Sequence, residues 1–332
     1  MIDTLRPPGI FDAQAGAYKD WLHVNLFDHA SGVVGLLNVS LHGDPQDERS
    51  RAVGAALFHL PGQGWLGNTE VRGLRDAGIG AASLALERIA IAVEPLSGRV
   101  LASARLPDDG LELRLTAVAE APALAVDSPV PFGAGWISWR MVPRLRLAAG
   151  SLRAGDRSFD LARASVYHDH NWGRWHWGDD VGWEWGAFLA AAPGPSFVLS
   201  RVTDRRHRRG GFPSLTVSAA GGRRTFGGPA VEIALDGVLD APLRRFPGAL
   251  AALHQDRRSP RLPARVRVSA GDGFDRVALD FRPRAAAQLI AADPTVPGYG
   301  FLHELVGEFT AAGHVGGTDL GATGLAVFEY VD

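Results

Sequence analysis

Arg265-Val266-Arg267-Val268-Ser269-Ala270-Gly271-Asp272-Gly273-Phe274-Asp275-Arg276-Val277-Ala278-Leu279-Asp280-Phe281 decides the fold class. Val266 and Val268 alternate with Arg265 and Arg267. Gly271-Asp272-Gly273 supplies a turn, and Val277, Leu279 and Phe281 then resume the same period. Residues two apart share one face of a strand, so each arm has an apolar and a polar side, and the turn folds the arms into a hairpin.

The same period recurs along the chain. Leu37, Val39 and Leu41 alternate with Asn38, Ser40 and His42, and Leu111, Leu113 and Leu115 with Glu112, Arg114 and Thr116. Tyr299, Phe301, His303 and Leu305 share a face, and Leu325 to Tyr330 makes a last strand. The 41 glycines and 21 prolines punctuate these runs, as short strands with tight turns require. Helical period is scarce. Phe246 to Gln255 is the best helix candidate, and Leu84 to Val93 fits a buried strand or a helix equally. Without regular helical crossovers a parallel α/β sheet is excluded, which leaves an all-β chain of antiparallel barrels or sandwiches. Two halves are expected, residues 1–175 and 176–332. The basic stretch Arg205 to Gly211 reads as a solvated hairpin tip.

Composition narrows the function classes. A chain of 332 residues with 46% hydrophobic and 21% charged residues is globular, and a net charge of −2 offers nothing to nucleic acid. The absence of cysteine excludes disulfides, thiolate nucleophiles and Cys-ligated zinc. Lys19, the one lysine, lies in a polar N-terminal stretch, which speaks against a Schiff base. No basic region followed by an apolar run opens the chain, and no stretch of about 18 apolar residues occurs, so a cytoplasmic protein without a membrane span is expected, with peripheral membrane contact left open. Nothing in the sequence sets the oligomeric state. Gly62-Gln63-Gly64-Trp65-Leu66-Gly67 lacks a βα unit and reads as a turn, not a dinucleotide loop. No G-x-S-x-G elbow is present, and His23, His29, His42 and His59 read as isolated structural histidines.

Ser165 to Leu189 is unlike its surroundings and holds five of the nine tryptophans. Indoles interleaved with polar groups at this density suit a pocket. On a strand, His168 and His170 point one way, and Tyr167, Asp169 and Asn171 the other. Asp169 then has two hydrogen-bonding neighbours, and burial against aromatic surface raises a carboxyl pKa. Such an acid holds a proton at neutral pH and can deliver it to an apolar substrate, while indole faces stabilise the cation that forms. If the following strand pairs with this one, Trp183 and Trp185 add walls and Glu184 a second carboxylate.

Tyr167-His168-Asp169-His170-Asn171-Trp172-Gly173, followed by Trp183-Glu184-Trp185, resembles the signature of the bacterial carotenoid 1,2-hydratases (hydroxyneurosporene synthases), which are related to AttH-like proteins and to fungal lipocalin-like pericyclases. The resemblance implies two lipocalin-like (calycin) β halves with a ligand cavity near their junction. It also implies cofactor-free addition of water to an isoprenoid C=C. Its proton donor falls on Asp169 and the assisting tyrosine on Tyr167. An upstream tryptophan of the family corresponds to Trp139 or Trp136. The expected site is therefore Asp169 as acid and Tyr167 and Asn171 orienting it. His168 and His170 tune it or position water, and Trp139, Trp172, Trp175, Trp183, Glu184 and Trp185 line a lipophilic substrate. Three alternatives stand beside this hydro-lyase: a cyclase in the same cavity, a non-catalytic lipophile carrier, and a metal site on His168 and His170 completed by His176, Asp179 or Glu184.

Overall fold

The computed structural model describes residues 3–7, 14–44, 46–120, 122–220, 222–246, 260–293 and 296–332, with the side chains of 126–128 outside the description. Among these residues there are strands and short 3-10 turns but no α-helix, and no helix long and apolar enough to cross a membrane. Contacts divide the chain into two compact units, Met1–Asp179 with Ala291–Tyr299, and Asp180–Ile290 with Gly300–Asp332.

The first unit is built on a 13-stranded antiparallel sheet. Its strands are β1 (Tyr18–Asp28), β2 (Val33–His42), β3 (Arg51–Leu60), β4 (Gly64–Gly73), β5 (Gly78–Gly80), β6 (Ser83–Ala85), β7 (Ile89–Val93), β8 (Val100–Leu106), β9 (Leu111–Ala119), β10 (Leu124–Phe132), β11 (Gly135–Ala154), β12 (Arg157–Asp160) and β13 (Ser165–Arg174). The order is β4-β3-β2-β1-β13-β11-β9-β8-β7-β6-β5, with β10 and β12 both on β11. The sheet curls until β2 and β3 meet β7. Gly54 on β3 permits this approach, since a Cβ there would stand 3.2 Å from Ile89. The concave face encloses Leu22, Val24, Leu37, Val39, Phe58 and Ile91, each buried and each worth about 1.5–3 kcal/mol.

The second unit carries a 10-stranded sheet of β14 (Gly182–Ala190), β15 (Ser196–Thr203), β16 (Ser214–Ala219), β17 (Gly222–Gly227), β18 (Val231–Asp236), β19 (Leu243–Phe246), β20 (Arg265–Gly271), β21 (Arg276–Ala292), β22 (Tyr299–Val315) and β23 (Thr318–Val331). Its order is β17-β16-β15-β14-β23-β22-β21-β20-β18, and β19 lies parallel on β21. Its interior is filled: Phe188 packs edge-on against Phe281 and Phe309 at 5.6 and 5.8 Å, and Phe197 against Phe309 at 5.7 Å.

The hairpin expected at Gly271-Asp272-Gly273 joins β20 to β21, with Gly273 at φ +92°. Leu84 to Val93 is not a helix but the end of β6, a turn closed by the Leu86 N–H on the Ile89 carbonyl, and β7. Of the helix candidate Phe246 to Gln255, only Phe246 is described, as the end of β19, and the rest lies outside the described residues. The basic stretch Arg205 to Gly211 is a loop between β15 and β16, pinned by the Asp204 carboxylate, which accepts the N–H groups of Arg206 and Arg208.

Candidate active site

β13 lies between β1 and β11, and this placement builds the site. Facing β1, Tyr167 stands opposite Asn25, Asp169 opposite His23, and Asn171 opposite Trp21. Facing β11, Asp169 stands opposite Met141 and Asn171 opposite Trp139. Cross-strand partners share a face, so Asn25, His23, Trp21, Tyr167, Asp169, Asn171, Met141 and Trp139 form one patch on the convex side of the sheet. Gly173 permits the close fit of β11, because a Cβ there would stand 2.2 Å from the Trp136 carbonyl oxygen. Trp139, not Trp136, is the indole beside Asn171. Trp136 is opposite Arg174 and packs on the enclosed core.

Asp169 is 6% exposed. The Tyr167 hydroxyl donates to its Oδ2 at 2.8 Å and the Asn171 amide to its Oδ1 at 2.6 Å. Burial pushes this carboxyl above its ordinary range and outweighs the opposing pull of His23, the two hydrogen bonds and His168. The site thus pairs a buried carboxyl of raised pKa with two fixed donors. Trp21 and Trp139 flank Asn171, and Trp175 meets Trp21 edge-on at 5.5 Å.

The other face of β13 carries the two histidines, of which His168 pulls the Asp169 carboxyl down through space. His168 and His170 do point away from Asp169, but into the enclosed side, where each is held by its own partners. His168 bonds the His23 carbonyl at 2.9 Å through Nδ1, and its Nε2 lies 3.4 Å from Asp3. Burial alone would lower the His168 pKa, but the Asp3 carboxylate beside it raises it, and Asp3 is lowered in turn. His170 Nε2 lies 2.8 Å from Asp20, which also accepts the Tyr18 hydroxyl and the Arg6 N–H, each at 2.7 Å. Trp172 lies against His170 and under the Arg6 guanidinium at 4.3 Å, so it braces the N-terminal segment and does not wall the acid.

Lys19 is not in a polar stretch. It is on β1, 1% exposed, and its ammonium lies 3.3 Å from Asp293 and on the Trp175 carbonyl, beneath the Trp175 and Trp177 rings. Asp293 also accepts the Trp177 N–H and meets His176 Nδ1, both at 3.1 Å. These contacts occupy Lys19 and His176 and fix Trp175 at the edge of the patch.

β13 and β14 do not pair. β13 bonds β1 and β11, and β14 bonds β15 and β23. Trp183 donates its indole N–H to Glu329 at 2.7 Å, and Trp185 is Glu329's partner in register. Glu184 points to the opposite face, where Arg201 binds it at 2.7 Å and His207 lies at 3.1 Å. The sequence reading missed Glu304, buried opposite Glu329 on β22. Burial and that neighbour raise its carboxyl well above the ordinary range. An open cavity of about 850 Å³ in this unit is lined by Glu232, Arg276, His314 and Asp319 among others and includes none of the expected site residues. Among the described residues no three His, Asp or Glu side chains converge as metal ligands, because His168 and His170 each answer to a different carboxylate.

No family model matches the chain, and no curated protein matches it. Solved structures do. A protein from Nitrosomonas europaea described as an AttH aligns over 98% of this chain and 96% of its own, with a TM-score of 0.67 at 13% identity. Kievitone hydratase from Nectria haematococca aligns over 97% and 92%, with a TM-score of 0.60 at 14% identity. CghA in complex with Sch210972 aligns over 96% and 89%, with a TM-score of 0.54 at 12% identity. The chain has the two-part, lipocalin-like β fold of the AttH-like proteins.

Proposed function

We propose that this protein is a cofactor-independent hydratase that protonates a C=C of a lipophilic, isoprenoid-like substrate and lets water capture the cation. The observation that carries the reading is the Asp169 carboxyl, buried, raised in pKa, and held by Tyr167 and Asn171 on a face framed by indoles. A carboxyl whose pKa is raised keeps its proton to higher pH, which suits it to act as the acid an unactivated alkene requires. Trp21 and Trp139 supply the ring faces against which a developing carbocation is stabilised. After transfer, the Asp169 carboxylate is stabilised by the same two donors and takes the proton that the captured water sheds, which restores the acid. His168, His170 and Trp172 serve by holding β13 and the segment Asp3 to Pro7 in place. The motif's resemblance to the carotenoid 1,2-hydratases supports the reaction class, and fold likeness to a protein named as a hydratase accords with it.

The test is incubation with acyclic isoprenoids (farnesol, geranylgeraniol, lycopene) in deuterated, ¹⁸O-labelled water, followed by mass spectrometry. The wild type is expected to put both labels into product, and Asp169→Ala, with unchanged circular dichroism, neither. Deuterium without ¹⁸O, dependent on Asp169, would favour a cyclase. Labelling that survives in Asp169→Ala would remove this residue from the mechanism.

A further inference from the structure

Asn25 is a residue of the patch whose side-chain amide nothing yet explains. It is fully buried, and neither its amide nitrogen nor its amide oxygen has a hydrogen-bond partner among the described residues. On β1 it stands opposite Tyr167, and on the other side opposite Leu36 of β2, which is apolar. A buried side-chain amide left unbonded costs about 1–3 kcal/mol, and a leucine of the same branched shape would avoid that cost. The amide is therefore a destabilising element placed one register step from the acid: Asn25–Tyr167 is the cross-strand pair next along the face from His23–Asp169.

We propose that Asn25 binds the water that captures the cation, which makes it a further catalytic residue of this site. The inference rests on the hydratase reading above. An amide offers one acceptor and two donor hydrogens, and a water molecule can both donate to Oδ1 and accept from Nδ2. Asn25 is the register partner of Tyr167, whose hydroxyl donates to Asp169. The step balances. The Asp169 O–H bond breaks as the C–H bond forms, the water oxygen forms the C–O bond, and the oxonium proton passes to the Tyr167 oxygen. The Tyr167 hydrogen passes to the Asp169 carboxylate, and the sum is addition of one H₂O across one C=C. Without bound water, the cation can only lose a proton again. Asn25 thus separates capture from protonation, and its loss uncouples the two.

The experiment uses the full chain with the same isoprenoid probes in deuterated, ¹⁸O-labelled water and compares wild type with Asn25→Leu and Asn25→Asp. In Asn25→Leu the ¹⁸O-labelled product is expected to fall about tenfold or more, the loss of one bound-water hydrogen bond, while deuterium continues to enter recovered alkene within about threefold of wild type. Its Tm should equal or exceed that of wild type, because an unbonded amide is replaced by an apolar group of the same branched shape that can fill the space of the bound water. Asn25→Asp keeps an acceptor and should retain more ¹⁸O product than Asn25→Leu. An unchanged ratio of ¹⁸O product to deuterated alkene in Asn25→Leu overturns the proposal. So does a marked fall in Tm in both variants, which would show that the amide holds the fold. If wild type takes up no deuterium from any probe, the hydratase reading fails and this proposal with it; if wild type labels and only the ratio fails to move, the reading stands and the Asn25 assignment falls.

Discussion

The Tyr167 hydroxyl lies 2.8 Å from Asp169 Oδ2, two residues along one strand, and its hydrogen bond pulls the carboxyl pKa down while burial pushes it up. Removing the hydroxyl leaves burial less opposed. In Tyr167→Phe the Asp169 pKa should therefore rise further. Activity that depends on protonated Asp169 falls as pH rises through that value, so the fall should move to higher pH in the variant, with a maximal rate lower by about tenfold or more for the lost charge-assisted bond. A pH–rate profile checks this, and a limb that stays in place would contradict it.

Glu304 gives a stability prediction with a fixed sign. Its folded pKa lies above the ordinary 4.5, first through burial and then through Glu329. The stabilising contribution of its neutral form is complete below the unfolded value and is lost as pH rises through the folded one. Glu304→Gln stays neutral throughout. Its Tm should match wild type near about pH 4 and exceed it increasingly in alkaline buffer. Thermal denaturation across pH would refute this by showing a constant difference.

Asp3 and His168 form a buried pair with opposite linkage. His168 is raised, so its contribution is full below the unfolded 6.5 and lost as pH rises through its folded value. Asp3 is lowered, so its contribution is present above 3.8 and lost as pH falls through its folded value. Asp3→Asn should cost about 3 kcal/mol between those limits and less on either side. Amide exchange at Leu5, whose N–H bonds the Ala81 carbonyl, should accelerate in the variant over the same window. An unaffected Leu5 amide would mean that the pair does not hold the segment.

Gly173→Ala places a Cβ 2.2 Å from the Trp136 carbonyl oxygen and 2.9 Å from the Trp175 ring. Backbone cannot retreat from between two bonded strands, so a loss of about 1–3 kcal/mol is expected. A Tm equal to that of wild type would show that β11 and β13 are not packed as described.

The acid's immediate partners were legible because they lie on its own strand, where a period of two places Tyr167 and Asn171 beside Asp169 without knowledge of any other strand. Its neighbours from β1 were not. Trp21, His23 and Asn25 alternate with Leu22, Val24 and Leu26, which reads as a solvated face, yet β1 is buried on both faces. Polar residues at alternate positions look the same whether water or a covered site lies over them. That β14 does not pair with β13 was not legible for a different reason. Successive strands usually pair, but here Trp175 to Val181 leads β14 into the other sheet. Lys19 was misjudged because its partner Asp293 is 274 residues away.

The proposed reaction depends most on the proton of Asp169. Carbon-13 NMR of protein labelled at aspartate carboxyl carbons, with Asp169→Asn to assign the signal, reads that proton directly as pH is varied. The expected midpoint for this residue lies above the ordinary 3.8. A midpoint at or below that value would contradict it, since burial would then not favour the protonated form that donates to the alkene.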